Sequence, residues 1–347
     1  METLWFYLVA GMVAVYVVLD GFDLGAGTLH LFVARSDSER RTVLQSIGPV
    51  WDGNEVWLLA AGGALVLAFP RLYASAFSGF YLPLMMVLWL LILRAISIEF
   101  RSHLQNPVWR PIWDVVFSLS SLLLAVVLGA ALGNVVRGVP LGDDGYFFTP
   151  FWTSFQTDSR ELGVLDWYTV TVGITSLLAL TYHGAMWVIL KTDEEIRVRA
   201  RRVAALICPP LLLFLALVTV LTFSIQLQVP QRMNAEPVSY LLPLAALVGI
   251  VSSRVFMAKG RELPAFLGSA VFLVGMLLSV VFGLYPMVLP AAGDPAASLT
   301  IYNASGPAYS LRVALFWWIP GMMLVTGYTI FIYRQMAGKV VLDGEGY

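Results

Sequence analysis

The chain has 347 residues, of which 59% are hydrophobic and 12% charged, and its formal net charge is −1. Soluble domains run at about 45–50% apolar and about 25% charged, so too few charges are present here to cover this much apolar surface in water. A cytosolic globular enzyme, a disordered chain and a basic nucleic-acid binder are excluded, and the single cysteine, Cys208, excludes an intrachain disulfide and any Cys-ligated zinc or iron–sulfur site. What remains is an all-α polytopic membrane protein that reads as a single integral membrane domain over residues 1–347.

A bilayer core about 30 Å thick needs about 20 mostly apolar residues per helix. Nine stretches qualify, running roughly 4–33, 43–69, 73–97, 113–136, 166–190, 203–228, 239–258, 264–290 and 311–335. The first carries Asp20-Gly-Phe-Asp23-Leu-Gly-Ala-Gly27 and reads as a retained span, being too long and too acidic for a cleaved leader. The second carries Gly48-Pro-Val-Trp51-Asp52-Gly-Asn54-Glu55-Val-Trp57. In each of these two spans the acids are three residues apart, which puts them on one helix face. Arg94 and Glu99-Phe-Arg101 end the third span. The connection over about 137–165 is acidic and aromatic, with Asp143, Asp144, Phe147, Phe148 and Trp152, as suits a segment lying along the interface.

Charge orients these spans. Arg71, Arg137, Arg160, Arg232 and Arg312 are the 5 basic residues on one side, which leaves 16 of the 21 on the other. The split alternates loop by loop, so the positive-inside rule places the N-terminus outside and the C-terminus inside.

Ionisable groups inside spanning helices are costly and therefore candidates for function. At 1.5 Å per residue, Asp20 falls roughly 6 Å from the inner boundary and Asp23 nearer still, while Asp52 and Glu55 fall roughly 14 and 18 Å in. Packed together, the four would form a carboxylate ladder from the inner surface to mid-membrane, suited to taking up and passing protons. The plainer alternative is helix glue, with the acids bonded to Asn54, to exposed backbone beside Gly21, Gly25 and Gly27, or to Arg94. For Arg94 and Arg101 themselves, snorkelling to the interface is the preferred reading over pairing with Asp20 or Asp23. Only His30, His103 and His183 offer imidazoles. One haem shared by His30 and His183 is the alternative to the reading preferred here, a chain with no catalytic residue, haem or metal site of its own. A stand-alone secondary transporter or ion channel built on the acidic ladder is the competing function.

Several motifs carry a resemblance. Asp20-Gly-Phe-Asp-Leu-Gly25, Gly48-Pro-Val-Trp-Asp-Gly-Asn-Glu-Val-Trp57, Phe69-Pro-Arg-Leu-Tyr-Ala-Ser-Ala-Phe-Ser-Gly-Phe-Tyr81, Glu99-Phe-Arg101 and Ala297-Ser-Leu-Thr-Ile-Tyr-Asn-Ala-Ser305 resemble subunit II of cytochrome bd-type quinol oxidases over the full length. The resemblance implies two four-helix bundles plus a peripheral helix, in the cytoplasmic membrane of a bacterium or archaeon. It implies a partner, subunit I, that holds two haems b and one haem d and oxidises quinol while reducing oxygen. This chain would be haem-free, stabilising that partner. Carried over by position, Asp52 matches a buried aspartate on a proton route, with Trp51, Asp20, Asp23 and Glu55 in the same region. Trp57 matches a tryptophan at the mouth of an oxygen path. Arg94 matches the arginine closing the third helix, taken with Glu99 as a structural ion pair, although Ala95 follows it where some members have proline. A structural quinone and small single-helix accessory subunits are further groups the resemblance allows.

Overall fold

The computed structural model describes residues 1–104, 106–153, 155–157 and 161–341; Arg160, counted above, lies outside the described residues. The helices are α1 (Glu2–Val33), α2 (Asp37–Ile47), α3 (Trp51–Ala68), α4 (Pro70–Gly79), α5 (Tyr81–Phe100) and α6 (Trp109–Arg137) in the first half. The second half holds α7 (Trp167–Lys191), α8 (Glu194–Ile225), α9 (Gln228–Ala235), α10 (Leu241–Ala258), α11 (Glu262–Leu284) and α12 (Ala308–Gln335). Helices α1, α3, α5 and α6 form one bundle and α7, α8, α10 and α11 a second, while α12 stands outside against α3. The bundles meet where α1 and α6 pack on α7. Glycines make that approach close, because a Cβ on Gly25 would run into the Leu180 carbonyl and one on Gly184 into the backbone of Gly25.

Among the described residues, 8 single helices are long and apolar enough to cross a membrane, and the bent pair α3 and α4 brings the number to 9. Two expected spans are nevertheless built differently. The stretch 43–69 is not one helix. Residues 37–47 form a separate helix whose start is fixed by a capping box, with Glu39 N–H donating to Ser36 Oγ at 3.2 Å and Ser36 N–H to the Glu39 carboxylate at 3.2 Å. Gly48-Pro49 then breaks the chain, since proline has no N–H to continue the ladder, and α3 restarts at Trp51. The stretch 73–97 is likewise divided. Pro70 opens α4 at an angle of 119° to α3, and α5 begins afresh at Tyr81.

The two ends of the molecule are finished differently. At the end bearing Arg137, the connection after α6 folds over the bundle instead of only lying along it: Val139 bridges to Ala291, and the Phe147 ring covers Gly79. Phe148 and Trp152 stay exposed. A two-stranded antiparallel ribbon, β1 (Met287–Leu289) with β2 (Leu299–Thr300), completes this cap. At the other end, ion pairs join all five loops that hold the basic excess. Arg101 and Arg110 meet Asp37, Arg199 meets Glu39, and Arg197 and Lys339 both meet Glu262. The alternation of charge along the sequence thus corresponds to one physical end of the fold.

Candidate functional site

Where α1, α3 and α5 converge, buried charge collects around Arg94. Its guanidinium lies 2.7 Å from Asp20 Oδ1 through one terminal nitrogen and 2.9 Å from Glu55 Oε2 through the other. Both Arg94 and Asp20 are fully enclosed. Arg94 therefore does not snorkel. The cause is geometric, since α5 turns this side chain inward to Asp20 on α1 and Glu55 on α3. Nor does it pair with Glu99, which sits on the exposed face of α5 with no ion pair among the described residues. The phenol of Tyr16, one turn before Asp20, stands beside that carboxylate.

Asp23 takes a different partner. Its Oδ2 accepts from Asn54 Nδ2 at 2.8 Å, while its Oδ1 is buried with no hydrogen-bond partner. Asn54 in turn accepts at Oδ1 from the Tyr333 hydroxyl of α12, at 2.8 Å. The linear ladder expected from spacing is thus a branched cluster, with Asp20 and Glu55 on one guanidinium and Asp23 on an amide. Asp52 stands apart from it. Because the span restarts at Trp51, Asp52 occupies the first turn of α3 and not a site about 14 Å deep, and it is exposed on the outer side of the bundle. It remains close enough to act electrostatically on Glu55. Trp51 is buried in the main apolar core, and Trp57 in a second one with Trp5, Tyr16 and Phe69.

Chemically the cluster sets three carboxyl groups, Asp20, Asp23 and Glu55, against one guanidinium. Charge in a low-dielectric interior must be balanced, so two carboxyls beyond the one matched by Arg94 give the site capacity to hold protons. Each imidazole is bonded elsewhere in the fold, and His30 Nδ1 is buried without a hydrogen-bond partner. His183 has its Nε2 on the Val18 carbonyl at 2.9 Å and its Nδ1 on Ser269 Oγ at 2.7 Å. His30 Nε2 is bonded to Asp114 at 2.7 Å, and His103 Nδ1 contacts the Glu99 carbonyl at 2.9 Å. These engagements do not fit a shared haem between His30 and His183.

Residues 1–336 match the family described as cytochrome bd terminal oxidase subunit II. The chain belongs to that family. A cytochrome bd ubiquinol oxidase subunit 2 of Bacillus subtilis is 31% identical over 98% of this chain and 97% of its own length. A probable cytochrome oxidase subunit 2 of Haemophilus influenzae is 30% identical over 97% and 94%, and the cytochrome bd-I ubiquinol oxidase subunit 2 of Escherichia coli is 29% identical over 98% and 95%. A bd oxidase chain from Geobacillus thermodenitrificans has the same fold, with a TM-score of 0.76 at 16% identity, covering 96% of this chain and 98% of that one. None of these relatives is named as a transporter, and the subunit II reading of the motifs stands. As a member of this family the chain is a multi-pass membrane protein and a subunit of an oxidoreductase complex.

Sequence spacing missed two participants in the charged interior of this subunit II chain. Tyr333 is one, the last of three tyrosines in an aromatic-rich helix with nothing local to distinguish it. The other is Asp114, whose carboxylate accepts from His30, from Arg40 at 3.0 Å and from Arg101 at 2.6 Å. Its signal was present: a lone acid near the start of a long apolar span, with arginines in the loop before it.

Proposed function

We propose that this chain is the haem-free subunit II of a cytochrome bd-type quinol oxidase, and that its Arg94-centred cluster handles protons for oxygen reduction in the partner. The observation that carries this reading is a set of three carboxyl groups with one counter-charge, Asp20 and Asp23 enclosed and Glu55 partly buried, set one helical turn from an exposed acid, Asp52. An acid on the outward face of an apolar helix is costly against lipid tails, so Asp52 calls for a protein neighbour or water. In the complex that neighbour is the haem-carrying subunit I, whose two haems b and one haem d move electrons from quinol to oxygen.

The chain's own residues then have separable tasks. Asp52 stands at the surface where protons cross between subunits. Glu55 and Asp20 share Arg94, which keeps both carboxyls in place whether or not either holds a proton. Asp23 takes up and gives up its proton at Oδ1, the oxygen without a partner, while Asn54 donates to Oδ2. Trp51 closes the inner end of α3 with apolar surface, which keeps water out of the cluster, and Trp57 lines apolar space suited to oxygen. The membrane is the cytoplasmic one, with the basic end facing the cytoplasm. A structural quinone and small single-helix subunits belong to the same reading, packed on the exposed apolar faces.

Replacing Asp52 tests the proton assignment. In the purified two-subunit complex, Asp52→Asn is expected to slow oxygen consumption while the haem absorption spectrum keeps its shape and intensity. Full turnover with full haem content would remove Asp52 from the route.

A further inference from the structure

The last helix touches the rest of the protein at few places. Among its described residues only Leu311 and Ala314 are buried, near the end where the Trp5 indole donates to the Leu311 carbonyl at 3.0 Å. Near the opposite end one side chain turns into the bundle. The Tyr333 ring sits edge-on to Phe22 and Trp187, with centroids 6.4 and 6.1 Å away. Its hydroxyl donates to Asn54 Oδ1 at 2.8 Å, and Asn54 Nδ2 donates to Asp23 Oδ2 at 2.8 Å. Three helices that are distant in sequence thus contribute one link each to a continuous hydrogen-bonded chain.

We propose that Tyr333 is a positioning residue for Asp23, acting through the carboxamide of Asn54.

A carboxamide has one accepting end and one donating end, and the two differ little in shape. Which end faces Asp23 decides what that acid can do. With Nδ2 toward it, Asn54 donates to the carboxylate; with Oδ1 toward it, Asn54 repels a carboxylate and accepts only from a protonated carboxyl. The other contact that sets the amide is Nδ2 to the Leu19 carbonyl at 3.4 Å, which is long for a hydrogen bond. The phenol of Tyr333, donating to Oδ1, supplies the stronger preference. Arg94, Asp20 and Glu55 are the charged groups that act on Asp23 from α1, α3 and α5. None of them touches the amide, so they set the field at Asp23 and not the orientation of its donor.

The segment after α12 holds Tyr333 at its height. Lys339 Nζ donates to the carbonyls of Ile189 and Thr192, each at 2.9 Å, and to the Glu262 carboxylate at 2.6 Å. Val340 N–H donates to the Lys191 carbonyl at 2.9 Å, and Lys191 Nζ reaches back to the Met336 carbonyl. A peripheral helix would otherwise be free to slide along lipid. Here its end is tied to α7 and α11, directly below the residue that reaches the acid.

This inference rests on the proton-handling reading of Asp23, and its test keeps the two apart. The complete oxidase complex is prepared with Tyr333→Phe, Asn54→Leu, Asp23→Asn and, as a control at a largely exposed tyrosine of the same helix, Tyr328→Phe. Infrared difference spectra assign the Asp23 carboxyl bands as those lost in Asp23→Asn. Tyr333→Phe and Asn54→Leu are each expected to shift those bands, and Tyr328→Phe to leave them in place. Turnover per haem in Tyr333→Phe is expected to fall about fivefold, the equivalent of one neutral hydrogen bond of about 1 kcal/mol, with an unchanged haem spectrum. Unshifted Asp23 bands in Tyr333→Phe would overturn the positioning role, as would a shift in Asn54→Leu alone. Full turnover in Asp23→Asn would instead overturn the proton-handling reading, and the bands would still decide whether Tyr333 positions that carboxyl.

Discussion

Two buried acid–arginine assemblies stand in this molecule, built from the same residue types and finished in opposite ways. At the basic end, Asp114 is saturated: His30 and Arg101 share one oxygen at 2.7 and 2.6 Å, and Arg40 and Arg101 share the other at 3.0 and 3.2 Å. One carboxylate there meets two guanidiniums and an imidazole. Around Arg94 the balance is reversed, with three carboxyl groups to one guanidinium and Asp23 Oδ1 left without a partner. A saturated carboxylate is a clamp, because Asp114 weakens four charge-assisted bonds at once if it takes up a proton. An acid-rich site with an open oxygen can gain or lose a proton while its frame stays in place. The same side chains are therefore saturated in one region and in acid excess in the other, and on the proposed reading that stoichiometry separates a structural role from proton handling.

The largest expected effect comes from unbalancing the clamp. Asp114→Ala leaves Arg40, Arg101 and His30 facing one another, and removing one partner of a buried ionic group typically costs about 3–5 kcal/mol. The purified complex should then show a clear drop in its thermal midpoint and in yield. A midpoint like that of the unchanged protein would mean the clamp holds nothing. A smaller effect is expected where packing is disturbed and no charge is touched. Gly184→Ala places a methyl group against the Gly25 backbone, two residues from Asp23, and such overpacking costs about 1–3 kcal/mol. Its loss of stability should appear in the same thermal measurement, with turnover per haem preserved if proton handling depends on the cluster and not on the fit of α7. The smallest effect belongs to the partly exposed tie at Glu262. Lys339→Ala should lower stability by only about 0–1 kcal/mol, since solvent screens the pair, and a larger loss would show that the tail anchors α12 more firmly than its contacts indicate.

Much of this was legible in residue order. Apolar run lengths and the alternation of basic loops located the spans and gathered their charged loops at one end, because lipid imposes both patterns directly. The acids and glycines of Asp20–Gly27 and the motif around Asp52 lie on the two helices, α1 and α3, that carry the acids of the Arg94 cluster. Two kinds of information were hidden. Helix breaks depend on local chemistry that a hydropathy window averages away, and the box at Ser36–Glu39 followed by Gly48-Pro49 shortened the second span and moved Asp52 to its first turn. Partner choice depends on which face a helix turns inward. Spacing could not reveal that Arg94 points to Asp20 and Glu55 while Glu99, five residues later, points away. The contribution of Tyr333, separated from Asn54 by 279 positions, required the three-dimensional arrangement.

The contrast between clamp and proton site is tested most directly by oxygen consumption per haem in the complete complex carrying Asp20→Asn or Asp114→Asn, with thermal midpoints taken on the same samples. Both substitutions replace a carboxyl group by a carboxamide and keep the side chain's shape. Asp20→Asn is expected to cut turnover by at least about tenfold with little change in midpoint, and Asp114→Asn to lower the midpoint with turnover per loaded complex preserved. Full turnover in Asp20→Asn together with a collapse in Asp114→Asn would contradict it, and would move proton handling to the basic end of the fold.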